Sequence, residues 1–280
     1  MNLLFIGDVV GRPGRNAVRA HLGSLVRQHE IDFTIANAEN AAGGLGLTPE
    51  TAEELLDAGV DVLTTGNHVW RHRKLSEFME AERRVLRPAN FPPGAPGRGG
   101  DVFMTAHSGA VGVLGLIGRV FMDSLDCPFR AADREIEGFR GRTNVVVVDV
   151  HAEATSEKMA MGWYLDGRVS AVIGTHTHVQ TGDERILPKG TAYITDAGMT
   201  GPRDSVLGIS SEPVIERFLT GMPTRFQVAT GPVVLNAVIA SIDTDTGAAR
   251  SIKRLSECFE LEQRTRAPAS GGLFRSDTNR

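Results

Sequence analysis

Residues 2–29, NLLFIGDVVGRPGRNAVRAHLGSLVRQH, decide the fold. The apolar run 2–6 is too short for a helix and reads as a buried strand. Gly7 to Gly14 form a glycine-rich break. Residues 15–29 then carry Val18, Leu22, Leu25 and Val26 at helical spacing. The same order recurs twice. A strand over 33–36 ends in Asn37-Ala38-Glu39-Asn40. Behind it, Thr48 caps a helix that has Pro49 in its first position and stops at Gly59. A third strand over 62–65 ends in Gly66-Asn67-His68. Strand, loop and helix repeated in this way predict a parallel sheet and an α/β fold.

The pattern continues past a Pro- and Gly-rich surface loop at 88–100. Strands are predicted over 101–106, 110–116 and 143–150, the last reading TNVVVVDV and running into His151. Helices are predicted over 129–139 and 156–165, and a short strand over 171–173. Further strands, at 191–195, 226–229, 233–243 and 249–255, surround a loop at 196–202 and a helix at 212–219. The Asp245-Thr246-Gly247 turn makes the end of the chain a hairpin or meander that closes a sheet. Residues 1–262 are read as one domain, and the polar stretch 263–280 as a flexible tail.

The chain has 280 residues, 41% of them hydrophobic and 23% charged, and a net charge of −4. These values suit a soluble globular protein and give no general affinity for nucleic-acid backbone or acidic membrane. No run of about 18 apolar residues exists, so no membrane span is expected. The first residues lack the basic segment of a signal peptide. Cys127 and Cys258 form no CxxC. The expected setting is a reducing cytoplasm, with both thiols buried and inert.

Polar clusters recur at one kind of place, just after a short apolar strand. Asp8 follows the first strand, Glu39 and Asn40 the second, and Asn67 and His68 the third. His151 follows the valine run. His176 and His178, in GTHTHVQT, follow the strand that ends near Ile173. In open α/β sheets, sites lie at the carboxyl ends of strands. Each residue alone has an ordinary structural reading, as a helix cap, a turn residue or a core histidine. Those readings would all have to hold at once. Imidazole, carboxylate and carboxamide together suit iron, manganese or zinc better than calcium or magnesium. They are too many for one ion. Two ions about 3.5–4 Å apart would use them all, an arrangement that favours in-line displacement at phosphorus.

At these residues the sequence resembles the calcineurin-like metallophosphoesterases, and more closely their bacterial YmdB-type branch. The shared blocks are GDVVGRPGR, NAENAAGG, TTGNHVW, HAEATSEK, GTHTHVQT and DAGMTGP, between residues 4 and 202. Two departures from the wider family stand out. Val10 replaces the histidine of its D-x-H block, and Glu39 replaces its bridging aspartate. Asn40 is placed to fill the first vacancy through its side-chain oxygen.

The resemblance implies a two-sheet β-sandwich flanked by helices, a four-layer α/β/β/α fold. It implies a first ion held by Asp8, Glu39, Asn40 and His178, and a second held by Glu39, Asn67, His151 and His176. Glu39 would bridge them. The ions would be divalent transition metals, iron or manganese in preference to zinc. His68 would serve catalysis, protonating the leaving alkoxide or orienting the phosphate. Thr175 is a candidate phosphate contact, and Asp149 and Asp196 are candidates for orienting imidazoles. The implied substrate is a small phosphodiester, with 2′,3′-cyclic nucleotides typical of the branch, and the implied assembly is a homo-oligomer. The residues themselves single out no one phosphoester.

Three other readings compete. An amidohydrolase also uses H-x-H and a carboxylate, but there the pair comes early and the aspartate late, the reverse of the order here. A nucleotide-binding protein would suit Gly7, Gly11 and Gly14, yet the chain has neither G-x-G-x-x-G nor G-K-[ST]. A regulatory or scaffold protein could keep such a site with little turnover, because ligands alone do not set a rate.

Overall fold

Short apolar runs ended by glycine or a polar residue form the strands, and stretches of helical spacing form the helices, over residues 1–260 described by the computed structural model. The tail expected over 263–280 lies outside these residues. The first half of the chain contains β1 (Asn2–Ile6), β2 (Asp8–Val9), α1 (Gly11–Gln28), β3 (Phe33–Asn37), α2 (Pro49–Asp57), β4 (Val62–Thr64), α3 (Lys74–Ala81), β5 (Val85–Leu86), β6 (Gly100–Met104), β7 (Ala110–Ile117) and α4 (Pro128–Phe139). The second half contains β8 (Val145–His151), α5 (Thr155–Leu165), β9 (Ala171–Thr175), β10 (Arg185–Ile186), β11 (Ala192–Ile194), β12 (Met199–Pro202), α6 (Ser211–Thr220), β13 (Val233–Ile242) and β14 (Ala249–Phe259).

The strands form two mixed sheets. One runs β2-β12-β13-β1-β3-β4-β5, with β14 also paired to β13. The other runs β10-β11-β9-β8-β7-β6. The valine run shows how they stack. Val145 and Val147 pack between the sheets with Leu3, Phe5, Ile35 and Ile173. Val146, Val148 and Val150 point the other way, into a layer with Ala131, Ala132, Met161 and Leu165 of α4 and α5. A strand buried on both faces must be apolar throughout, which is why this one is. Helices α1, α2 and α3 cover the outer face of the first sheet through Val18, Leu22, Leu55 and Leu75. The result is the expected four-layer α/β/β/α sandwich. Among the described residues, no helix is long and apolar enough to cross a membrane.

Several expectations need correction. Helix α1 begins at Gly11, not Arg15. Pro13 fits its first turn, where no amide donor is needed. Residues 199–202, read as loop, form β12 between β2 and β13. Residues 226–229, read as a strand, contribute only a bridge from Val228 to Ile209. Helix α3 and the two-residue strands β2, β5 and β10 had no sequence counterpart. Cys127 is only half-buried and Cys258 is exposed.

Candidate active site

The alternation of side chains along each strand carries the inter-sheet face out to a polar floor. Phe33 and Ile35 lead to Asn37, and Val62 leads to Thr64. Val145 and Val147 lead to Asp149 and His151, and Ala171 and Ile173 lead to Thr175. All five polar residues are buried. Asp149 is the hub of this floor. Its Oδ2 accepts from Thr64 Oγ1 at 2.5 Å and from Asn37 Nδ2 at 2.8 Å. Its Oδ1 accepts from Thr175 Oγ1 at 2.8 Å. Burial lifts the Asp149 carboxyl to about 6, against these hydrogen bonds, which favour its charged form.

Thr175 was expected to meet phosphate. It is fully buried, with its hydroxyl committed to Asp149 and lying 2.9 Å from Nδ1 of His151. Because that hydroxyl donates to Asp149, it accepts from His151, which places the His151 proton on Nδ1. The other nitrogen, Nε2, then presents a bare lone pair. It lies 3.0 Å from Asn67 Oδ1 and 3.1 Å from His176 Nδ1. Nε2 of His176 is 3.1 Å from the Glu153 carboxylate, which takes its proton and leaves Nδ1 bare as well. Three groups with a lone pair to offer thus converge at His151 Nε2. Burial lowers the basicity of His151 far below the ordinary histidine range and also lowers that of His176, so neither ring readily takes a second proton.

A second cluster adjoins the first. Asp8 is buried, with Oδ2 accepting from the His176 amide at 3.0 Å. Among the described residues its Oδ1 has no hydrogen-bond partner, although Nε2 of His178 stands 3.7 Å away and Nδ1 of His151 3.9 Å away. Burial, and then the neighbouring charges of Asp196, Asp149 and Glu39, push the Asp8 carboxyl well above the usual carboxylate range. His178 donates from Nδ1 to the Leu207 carbonyl at 3.1 Å and meets the Asn40 amide at Nε2, 3.0 Å away. Glu39 lies between the clusters. Its oxygens accept from the amides of Gly66, at 2.5 Å, and of His68, and Oε1 is 4.0 Å from Nε2 of His151. His68 is partly exposed, with Nδ1 3.0 Å from Glu39 Oε1. Gly66 has no alternative residue, because a Cβ there would overlap the His151 ring.

Both histidines of the H-x-H stretch have left-handed backbones, with φ of 97° at His176 and 65° at His178. Such a conformation costs about 1–3 kcal/mol at a non-glycine residue and persists only where the surroundings impose it. Asp196 does so from below. Its Oδ2 accepts from the Thr177 amide at 3.1 Å, from the Thr177 hydroxyl at 2.7 Å and from Lys158 Nζ at 2.7 Å. Asp196 therefore holds the peptide between the two histidines and not an imidazole. Asp149 likewise reaches His151 only through Thr175 and Asn37.

All seven expected ligands are gathered under a cavity of about 340 Å³, which Asn40, His68, His176 and His178 line directly. Among the described residues, no three His, Cys, Asp or Glu side chains are drawn together tightly enough to grip an ion as they stand. Two of the seven are carboxamides, and several donors are spent on one another. Asn37, Thr64, Glu153 and Lys158 were missed from sequence. Period two from Ile35 and Val62 points to the first two, and Glu153 stands in the HAEATSEK block. Lys158 closes the same block, but a lysine on a helix ordinarily faces water, so nothing local pointed to its buried pair with Asp196.

A four-layer sandwich with carboxylate, carboxamide and imidazole at five strand ends defines a class, the calcineurin-like metallophosphoesterases. A sequence profile described as YmdB-like protein matches residues 4–255. The chain is 50% identical over 255 residues to a Bacillus subtilis protein named 2′,3′-cyclic-nucleotide 2′-phosphodiesterase, covering 91% of this chain and 96% of that one. A crystal structure of a hypothetical protein from Thermus thermophilus superposes with a TM-score of 0.85 at 45% identity, covering 93% of this chain and 99% of the other. A Mycoplasma pneumoniae structure titled a novel phosphatase gives 0.86 at 34% identity, covering 93% and 94%. The chain belongs to the YmdB-like family.

Proposed function

We propose that this chain is a phosphodiesterase that works with two divalent transition-metal ions, iron or manganese, and acts on 2′,3′-cyclic nucleotides. The observation that carries the reading is the convergence of three groups with a lone pair to offer, His151 Nε2, His176 Nδ1 and Asn67 Oδ1, the last two 3.1 and 3.0 Å from the first. A cation fits among them. The orphaned Asp8 Oδ1 calls for a second one, beside His178 Nε2. Turning the Asn40 amide about its axis brings its oxygen to the same place, so Asn40 can stand where the wider family has a histidine. The first ion would take Asp8, Glu39, Asn40 and His178, and the second Glu39, Asn67, His151 and His176. The substrate class rests on the 50% identity to the Bacillus enzyme.

Two bound ions would supply an activated water and neutralise phosphoryl oxygens. The protein does the rest. Asp149, through Thr175, fixes His151 with Nε2 toward Asn67 and His176. Glu153 fixes His176 with Nδ1 inward. Leu207 fixes His178 with Nε2 inward. His68 lies on the cavity wall beside Glu39, where it can give a proton to the leaving alkoxide.

The test is metal analysis of protein purified without chelators, followed by hydrolysis of bis-p-nitrophenyl phosphate with and without manganese. The expected result is about two ions per chain and a diesterase that depends on them. Glu39→Gln should lose both ions and turnover. Unchanged activity in that variant would remove Glu39 from the bridge. We also read the working assembly as a homo-oligomer. The exposed apolar stripe of Ile215, Phe218, Leu219 and Met222 on and after α6 supports this, and light scattering tests it.

A further inference from the structure

The metal-ligand side accounts for only one wall of the cavity. Leu45, Leu207, Ile209 and Phe226 add an apolar wall to the same cavity. Leu45, Leu207 and Phe226 are 44%, 47% and 41% exposed. Displacement at phosphorus has no need of such a surface. A volume of about 340 Å³ is also more than a phosphate fills and falls at the lower end of small-molecule pockets.

The wall is rigidly built. Ser210 donates its amide to Gln227 O at 2.9 Å, and Ala229 donates to Gly208 O at 2.9 Å, which ties residues 207–210 to 226–229. Val228, between them, lies against the loop after Asn40, where a Cβ on Gly44 would stand 2.9 Å from its methyl. The Leu207 carbonyl accepts a hydrogen bond from His178 Nδ1, so the wall and a proposed metal ligand are held at a fixed separation. The Arg217 guanidinium, 5.3 Å from the centre of the Phe226 ring, steadies that ring by cation–π attraction.

We propose that this wall is the nucleobase subsite and that Phe226 stacks on the base while the phosphodiester lies against His68, His176 and His178. The proposal rests on the phosphodiesterase reading above and names which part of the substrate the apolar side recognises. Every base offers a π-face, and an aromatic side chain takes it with little regard to sequence. The four wall side chains bring no hydrogen-bonding group. Purines should therefore be favoured over pyrimidines by stacking area, with no strong choice between adenine and guanine.

The experiment compares 2′,3′-cyclic AMP, 2′,3′-cyclic CMP and the base-free 2′,3′-cyclic phosphate of methyl riboside on the manganese-loaded enzyme, in wild type, Phe226→Ala and Phe226→Tyr. Wild type should prefer cyclic AMP to the base-free diester by ten-fold or more in kcat/KM, mainly through KM. Phe226→Ala should collapse that ratio toward one, and Phe226→Tyr should restore most of it. A ratio that survives Phe226→Ala overturns the proposal. So does an equal loss on all three substrates together with a fall in particle mass, which would make the wall a contact between copies. If wild type hydrolyses none of the three, the phosphodiesterase reading itself fails, a result separate from a lost base preference.

Discussion

The main-chain amide of His176 donates to Oδ2 of Asp8 at 3.0 Å. The bond spans 168 residues and joins the end of β9 in one sheet to the start of β2 in the other. It spends one oxygen of Asp8 on holding the sheets together and leaves the other buried without a partner among the described residues. An unpaired buried charge of that kind destabilises the metal-free fold.

Asp8→Asn should therefore stabilise the metal-free protein while it weakens metal binding. The amide oxygen can still accept from His176. Relief of the buried charge should be worth about 1–3 kcal/mol, or roughly 2–4 °C of melting temperature for each kcal/mol. Thermal melts of chelated protein and a manganese titration check both halves. A metal-free variant that melts below wild type would show that Oδ1 is not the liability described.

Thr175→Val keeps the shape of the floor and removes the link between Asp149 and His151 Nδ1. His151 is then free to carry its proton on either nitrogen. Metal affinity should fall about 10–100-fold, and Thr175→Ser should retain most of it. Calorimetric titration with manganese reads the difference, and circular dichroism should show both variants folded. Equal affinities for wild type and Thr175→Val would leave His151 oriented by something else.

His68→Ala should lower kcat by about 10²–10⁴ and leave the metal content near that of wild type. His68 meets Glu39 and Asn40 from the cavity side through Nδ1, as a hydrogen-bonding neighbour of two proposed ligands. Metal analysis decides the matter, because loss of an ion in this variant would make His68 a ligand.

Lys158→Met removes one partner of a fully buried ion pair, the 2.7 Å contact with Asp196 beneath Thr177. Breaking such a pair from one side costs about 3–5 kcal/mol. The variant should melt well below wild type, and adding Asp196→Asn should recover part of the loss. A double variant no more stable than Lys158→Met alone would mean that the stranded carboxylate is not the source of the cost. Turnover of the single variant should fall as well, since Asp196 also holds the strained H-x-H peptide.

Much of this protein is determined locally, and that part was legible. The strand runs, the Thr48-Pro49 cap and the polar strand ends at Asp8, Glu39, Asn40, Asn67, His68, His151, His176 and His178 follow from hydrophobic period, turn chemistry and the rule that polar residues gather where a strand ends. Resemblance sharpened the ligand roles but did not create the pattern.

Tertiary structure alone decided the rest, because it depends on residues far apart in the chain. Met199–Pro202 reads as loop and becomes a strand only when β2 and β13 stand on either side of it. Phe226–Ala229 reads as a strand, but only Val228 forms a bridge, to Ile209, and Phe226 ends on the cavity wall. Lys158, on a helix, is buried only because Asp196, 38 residues on, is folded beneath it. Thr175 reads as a phosphate contact until Asp149 claims its hydroxyl. A sequence states which groups can bond; which partner each group meets first is set by the packing of the two sheets.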